Sequence, residues 1–243
     1  MVATKSDIIA RLQKEILPLQ GLRNVPGESV PDFGIGSMKY AFPNAVFPIG
    51  AVHEFICGCA AEQAATGGFI AGLLSTLMRN NGICVWINAS GTIFPPALRW
   101  FGIQPEKIIF VRLQKDIEIL WAIEESLKCS GLAAVVGELK ELDFTSSRRL
   151  QLAVEQSRVT GFIVRNSPRS LNTTACVTRW KVSSLPGFVE EGMPGIGFPG
   201  WNIELLKARN GKPGNWKFKW INQQFREVTT SVTIIKERER KVG

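Results

Sequence analysis

From Ile49 onward, short apolar runs alternate with stretches whose apolar residues recur every three or four positions. The runs 51–56, 82–88, 108–111, 132–136 and 160–164 have the length and the β-branched and aromatic content of buried strands. Between them, 68–78 (Phe69, Ile70, Leu73, Leu74, Leu77), 116–129 (Ile117, Leu120, Trp121, Glu124, Leu127) and 146–157 carry helical spacing. A shorter helix is expected over 95–101, where Pro95 or Pro96 suits a first turn. Strands interleaved with helices predict a mostly parallel sheet covered on both faces.

The pattern changes in the last third. Residues 175–182 alternate as an antiparallel strand does, and 201–208 and 216–220 flank Asn210-Gly211, the turn chemistry of a β-hairpin. Alternation puts Trp216, Phe218 and Trp220 on one face and Lys217 and Lys219 on the other. The Gly- and Pro-rich stretch 186–200 reads as a loop. At the other end, 6–17 reads as an amphipathic helix with Ser6 as N-cap and Ile8, Ile9, Leu12 and Ile16 on a shared face. A Pro- and Gly-rich arm follows it, and the chain closes on an apolar stretch containing Ile234 and Ile235 and a mixed-charge tail. The expected organisation is a helix over 1–22, an arm over 23–45, one α/β domain over 46–222 and a tail over 223–243. The two terminal segments, with Ile8, Leu12, Ile16, Ile234 and Ile235, are the expected partner-binding elements.

Composition narrows the classes. With 243 residues, 45% hydrophobic and 21% charged, the chain can bury one sizeable core. No apolar run approaches the roughly 20 residues of a membrane span, so a cytoplasmic protein is expected. Five cysteines and one histidine do not complete a four-ligand metal site, because Cys57-Gly-Cys59 has no second pair. The thiols are expected reduced in the core and His53 is expected to be structural. A net charge of +8 favours acidic partners, nucleic acid or protein.

Residues 57–74, Cys57-Gly-Cys-Ala-Ala-Glu-Gln-Ala-Ala-Thr-Gly-Gly-Phe-Ile-Ala-Gly-Leu-Leu74, sit between a strand and a helix, where a phosphate-binding loop would be. Such a loop offers backbone N–H groups, a lysine for the terminal phosphates and a hydroxyl for Mg²⁺. Here Gly58 and Gly67 would bound an overlong loop, and Gly68 and Phe69 stand where lysine and the hydroxyl residue belong. No Lys or Arg occurs between Lys39 and Arg79. Triphosphate charge would go uncompensated.

The order of elements resembles the RecA-like ATPase core, and more closely the ImuA family. The stretches that carry the match are Phe47-Pro-Ile-Gly-Ala-Val-His-Glu-Phe55, Val85-Trp-Ile-Asn-Ala-Ser90 with Pro95-Pro-Ala-Leu-Arg-Trp-Phe-Gly102, Leu120-Trp-Ala-Ile-Glu-Glu-Ser-Leu-Lys-Cys129 with Ala133-Ala-Val-Val-Gly-Glu-Leu139, Ser147-Arg-Arg-Leu-Gln-Leu-Ala153, and Thr178-Arg-Trp-Lys-Val182 with the Arg209-Asn-Gly hairpin. The resemblance implies a RecA-like core, a mostly parallel central sheet flanked by helices with a C-terminal antiparallel hairpin. It also matches Ser90 to the water-activating glutamate and Gly137 to the Mg²⁺-linked aspartate, so both acids are lost. Glu138 is adjacent to Gly137 but should point to the opposite face. The two DNA-gripping loops of recombinases would correspond to 138–145 and 166–173, both short, with Arg148, Arg149, Arg165 and Arg169 nearby.

The reading that follows is a RecA-like scaffold with no catalytic residues and no cofactor, an accessory factor of bacterial damage-induced translesion synthesis in the SOS response. The resemblance implies an ImuB-type partner, through it an error-prone polymerase and the sliding clamp, and association with RecA or with a second copy. Two rivals stay open. One is a DNA-binding module using Arg148, Arg149, Arg165, Arg169, Lys217 and Lys219, and the other a RecA-like protein that still binds ATP.

Overall fold

The computed structural model describes residues 31–89, 93–188 and 197–228. Nine strands form one sheet: β1 (Val52–Cys57), β2 (Ile83–Asn88), β3 (Ile108–Arg112), β4 (Leu132–Leu139), β5 (Thr160–Asn166), β6 (Thr178–Phe188), β7 (Phe198–Ala208), β8 (Gly214–Ile221) and β9 (Gln224–Glu227). Their order across the sheet is β3-β2-β4-β5-β1-β6-β7-β8-β9. The first six in that order run parallel, and β6 to β9 continue as an antiparallel meander. Three helices pack on the sheet: α1 (Ala60–Leu77), α2 (Asp116–Leu127) and α3 (Phe144–Ser157). This is the α/β architecture that the alternating pattern predicts, consistent with a RecA-like core.

Each face has its own apolar core. On one side α1 meets Phe55, Trp86, Val136, Phe162 and Trp180 from the parallel strands and Trp201, Ile203, Phe218 and Phe225 from the antiparallel ones. On the other, Ile119, Ile123 and Leu127 of α2 and Leu150 and Val154 of α3 cover Val85, Ile87, Val135 and Ile163. All six residues of β1 are buried, which explains why its sequence is apolar on both faces apart from two special positions, His53 and Glu54. The start of α3 is fixed by Asp143, whose carboxylate accepts the N–H of Ser146 at 2.7 Å. That N–H bond is the largest cause holding Asp143 below the usual carboxylate range.

Several boundaries shift. The expected helix at 68–78 begins eight residues earlier, at Ala60. The stretch 31–45, read as part of an arm, contributes Phe33, Ile35, Met38, Ala41 and Phe42 to the α1-side core, and Ser37 N–H is donated to Glu227 Oε2 at 2.7 Å. Beyond residue 222, read as tail, β9 pairs with β8 and buries Phe225. Strands β6 and β7 reach into the expected loop 186–200. The hairpin alternation holds: Phe218 and Trp220 are buried, Trp216 is partly buried against the same core, and Lys217 is exposed. Ile8, Leu12, Ile16, Ser90, Ile234 and Ile235 lie outside the described residues. No helix among the described residues is long and apolar enough to cross a membrane. The cysteines are all free, but only Cys57, Cys84 and Cys176 lie in the core, since Cys59 and Cys129 are exposed.

His53 is fully buried, stacked on Phe47 with ring centroids 4.7 Å apart. A carbonyl can only accept, so Nε2, 2.8 Å from Pro48 O, carries the proton. Thr178 Oγ1 then accepts from Trp180 Nε1 and donates to His53 Nδ1 at 2.7 Å. Burial lowers the His53 pKa to about 4. Because the unfolded chain takes up a second ring proton near pH 6.5 and the folded chain does so only near pH 4, the stabilisation is complete above pH 6.5 and is lost as pH falls toward 4. Urea unfolding across that window should show a decline with a His53 share of up to about 3 kcal/mol. In a His53→Gln variant that share of the pH slope should vanish.

Candidate functional site

Between the end of β1 at Cys57 and the start of α1 at Ala60 lie only Gly58 and Cys59. That connection is too short to wrap a polyphosphate in backbone N–H groups. The Gly58 N–H is instead donated to Glu62 Oε2 at 2.7 Å, and Lys181 Nζ lies 3.2 Å from Glu62 Oε1. The Gly58 N–H, aided by Lys181, holds the Glu62 carboxyl below its usual range. An acidic side chain of the protein therefore stands at the helix N-terminus, where an incoming phosphate would be repelled.

The degenerate loop Gly58, Gly67, Gly68, Phe69 is consequently not a loop. Gly67, Gly68 and Phe69 are helical, in the second and third turns of α1. A Cβ on Gly68 would sit 3.2 Å from Trp201 Cζ2, and one on Gly72 would overlap the ring of Phe225. Phe69 is not on a rim but fully buried, 5.3 Å from Phe225 and 6.2 Å from Trp180 between ring centroids. The glycines serve close aromatic packing where the sequence suggested a cradle.

The acid positions also need correction. Gly137 faces the α2 side, where any side chain would collide with Ile123. Glu138 is the acid that faces α1. It is buried, accepting from Trp86 Nε1 at 2.9 Å, Gln63 Nε2 at 2.9 Å and Asn166 Nδ2 at 3.4 Å. The expectation that Glu138 points away from the nucleotide side thus has the parity reversed.

The basic candidates do not form one patch. Arg165 is fully buried and is removed from the list of DNA contacts: its guanidinium reaches Glu54 Oε1 at 2.9 Å, Glu141 Oε2 at 2.9 Å, Asn172 Oδ1 and Ser170 O. Arg179 Nε takes the other Glu54 oxygen at 2.8 Å, beside the Thr174 hydroxyl. This cluster ties the segments after β4 and β5 together, and Arg169 N–H adds a bond to Glu141. Exposed Arg148 and Arg149 stand on α3 over β1 and β5, with Arg149 paired to Glu124. Lys217 and Lys219 stand on β8, three strands from β1, roughly 14 Å away across the sheet. Sequence reasoning missed Glu54 and Arg179. The available signal was two opposite charges, Glu54 and Arg165, inside apolar runs, which a central strand tolerates only when they are paired.

Beside the closed turn opens a groove of about 1270 Å³. Small residues of α1 (Ala60, Ala64, Gly67) form one wall, Phe94, Trp100 and Phe101 the other, and Trp86 and Glu138 line it between them. Trp201 and Trp220 close its end, and the Trp220 Nε1–H is donated to Trp100 O.

No family model matches the chain. Two curated relatives do, both described as Protein ImuA, from Caulobacter vibrioides strains NA1000 / CB15N and CB 15. Each is 32% identical over 200 residues, covering 77% of this chain and 82% of the relative. The chain belongs to the ImuA family. In this ImuA-family protein the Glu54 cluster is the feature most open to a stability test. Arg165→Met leaves Glu54 buried with one cation fewer and should cost about 3 kcal/mol in urea unfolding at pH 7. Arg169→Ala, at an exposed side chain, should stay within about 0.5 kcal/mol.

Proposed function

We propose that this protein is a non-catalytic accessory factor of damage-induced translesion DNA synthesis, binding an ImuB-type protein and supporting an error-prone polymerase assembly. Its membership of the ImuA family supports the pathway. The non-catalytic part rests on one observation above the others: the carboxylate of Glu62 on the Gly58 N–H at the first turn of α1. With Lys181 engaged by Glu62 and no lysine in the helix, no cation among the described residues is free at this turn to neutralise a terminal phosphate. Glu138, though acidic and facing α1, is held by hydrogen bonds from Trp86, Gln63 and Asn166. The fold then acts through surfaces.

The DNA-binding rival loses Arg165, and its remaining cations are spread over α3, the segment after β5, and β8. Truncations used to map partner contacts should spare β9: a chain ending at Val228 keeps Phe225, whereas one ending at residue 222 removes a core side chain. Biolayer interferometry of the full chain against the purified ImuB-type protein, with and without Mg·ATP, tests the reading. The expected result is saturable binding with the same Kd in both conditions. Absence of binding, or binding only with Mg·ATP, would contradict it.

A further inference from the structure

Along the aromatic groove lies a carboxylate with no cation partner among the described residues. Glu138 is 5% exposed, and its three hydrogen-bond donors, Trp86, Gln63 and Asn166, are all neutral. The ion pairs among the described residues do not include it: Arg165 and Arg179 are committed to Glu54, Lys181 to Glu62, and Arg99 at the rim to Glu106. A carboxylate offers about four acceptor sites, and the contact from Asn166 is long at 3.4 Å, so capacity remains. Next to it, Asn166 Oδ1 is buried and accepts no hydrogen bond. Asn166 lies on β5 two residues beyond Val164, which lines the groove, so its side chain falls on the same face. Two neighbouring acceptors, one of them charged, call for a cation with several N–H groups in a plane. A guanidinium has five, and an ammonium is a compact point charge.

The rest of the groove fits an apolar chain around that cation. Its volume of about 1270 Å³ exceeds the roughly 300–1,000 Å³ of small-molecule sites and suits a peptide segment. Trp100, 80% exposed, and Phe94, 69% exposed, stand on one wall as large apolar side chains without cover. The small residues of α1 opposite them let a backbone approach closely.

We propose that this groove binds a segment of a partner protein in which an arginine flanked by apolar side chains sends its guanidinium to Glu138 and Asn166. The inference deepens the accessory reading and rests on it for the premise that a protein partner exists. Uncompensated charge explains the preference for a basic segment, and the aromatic wall explains the preference for apolar flanks. Nucleic acid is disfavoured, because a polyphosphate would enter beside two uncompensated acceptors.

A display library of random peptides of about twelve residues, panned against the full chain, identifies the preferred sequence. The expected consensus is an arginine between apolar or aromatic residues. A synthetic peptide of that sequence should bind about tenfold more weakly to Glu138→Gln and to Trp100→Ala than to the unaltered chain. Replacing its arginine by alanine should cost about tenfold on the unaltered chain and nothing further on Glu138→Gln. Far-UV circular dichroism and thermal melting confirm folding, and Trp100→Ala, at an exposed side chain, stays informative if Glu138→Gln does not fold. No enrichment, a consensus without a basic residue, or binding indifferent to Trp100→Ala would overturn the proposal. So would an oligo-dT strand whose affinity falls in both variants, or affinity gained only on removing residues 1–30. If the ImuB-type protein binds the unaltered chain and both groove variants equally, the groove inference fails and the accessory reading stands. If it binds none of them, the accessory reading itself fails.

Discussion

The close approach of Trp201 and Phe225 to a helix that has glycine at positions 68 and 72 holds the two halves of the sheet to one core. Those aromatics come from β7 and β9, the antiparallel extension, and α1 follows directly from β1 in the parallel half. Any side chain at Gly72 would take the volume of the Phe225 ring, and cores this dense do not yield such volume without strain. Phe69 and Trp180 complete the contact, so one aromatic cluster spans both kinds of strand. The groove beside it inherits its shape from the same contact.

The turn between β1 and α1 lies beside that packing. Only Gly58 and Cys59 join β1 to α1, and the Gly58 N–H is met by the protein's own acid, Glu62. On the opposite side of the sheet, Glu54 and Arg165 fill with fixed, paired charge the space beneath the segments after β4 and β5. Such a buried pair is weak evidence for added stability, but breaking it leaves an uncompensated charge, which favours one conformation of the segments it joins.

Most of the fold was legible in the pattern of residues. Five of the six parallel strands, α2, α3 and the Trp216, Phe218, Trp220 face follow from periodicity alone. The first turns of α1 did not, because Ala60, Ala61, Ala64 and Ala65 have neither a strong apolar period nor a cap, and the glycines after them imitate a loop. Glu138 was given the wrong face by a single step of strand parity: Gly137, the position matched to the Mg²⁺-linked aspartate, faces α2, and Glu138 faces α1. Arg165 was misread because a basic residue beside a loop looks exposed, and only its partners from β1 and the 139–144 segment reveal otherwise. Phe225 sits in a polar stretch too short to announce a strand.

Two glycines five residues apart on α1 separate close packing from loop chemistry most directly. Helix propensity alone favours alanine over glycine by about 1 kcal/mol at both sites. At Gly67 the new methyl would meet only Ile93 Cδ1, at 3.9 Å, so Gly67→Ala should be neutral or stabilising in chemical denaturation. At Gly72 it would strike Phe225, so Gly72→Ala should destabilise by about 1–3 kcal/mol despite the helical gain. If both substitutions proved equally harmless, the aromatic seat on α1 would not exist as described and the reading of this helix as a packing surface would be wrong.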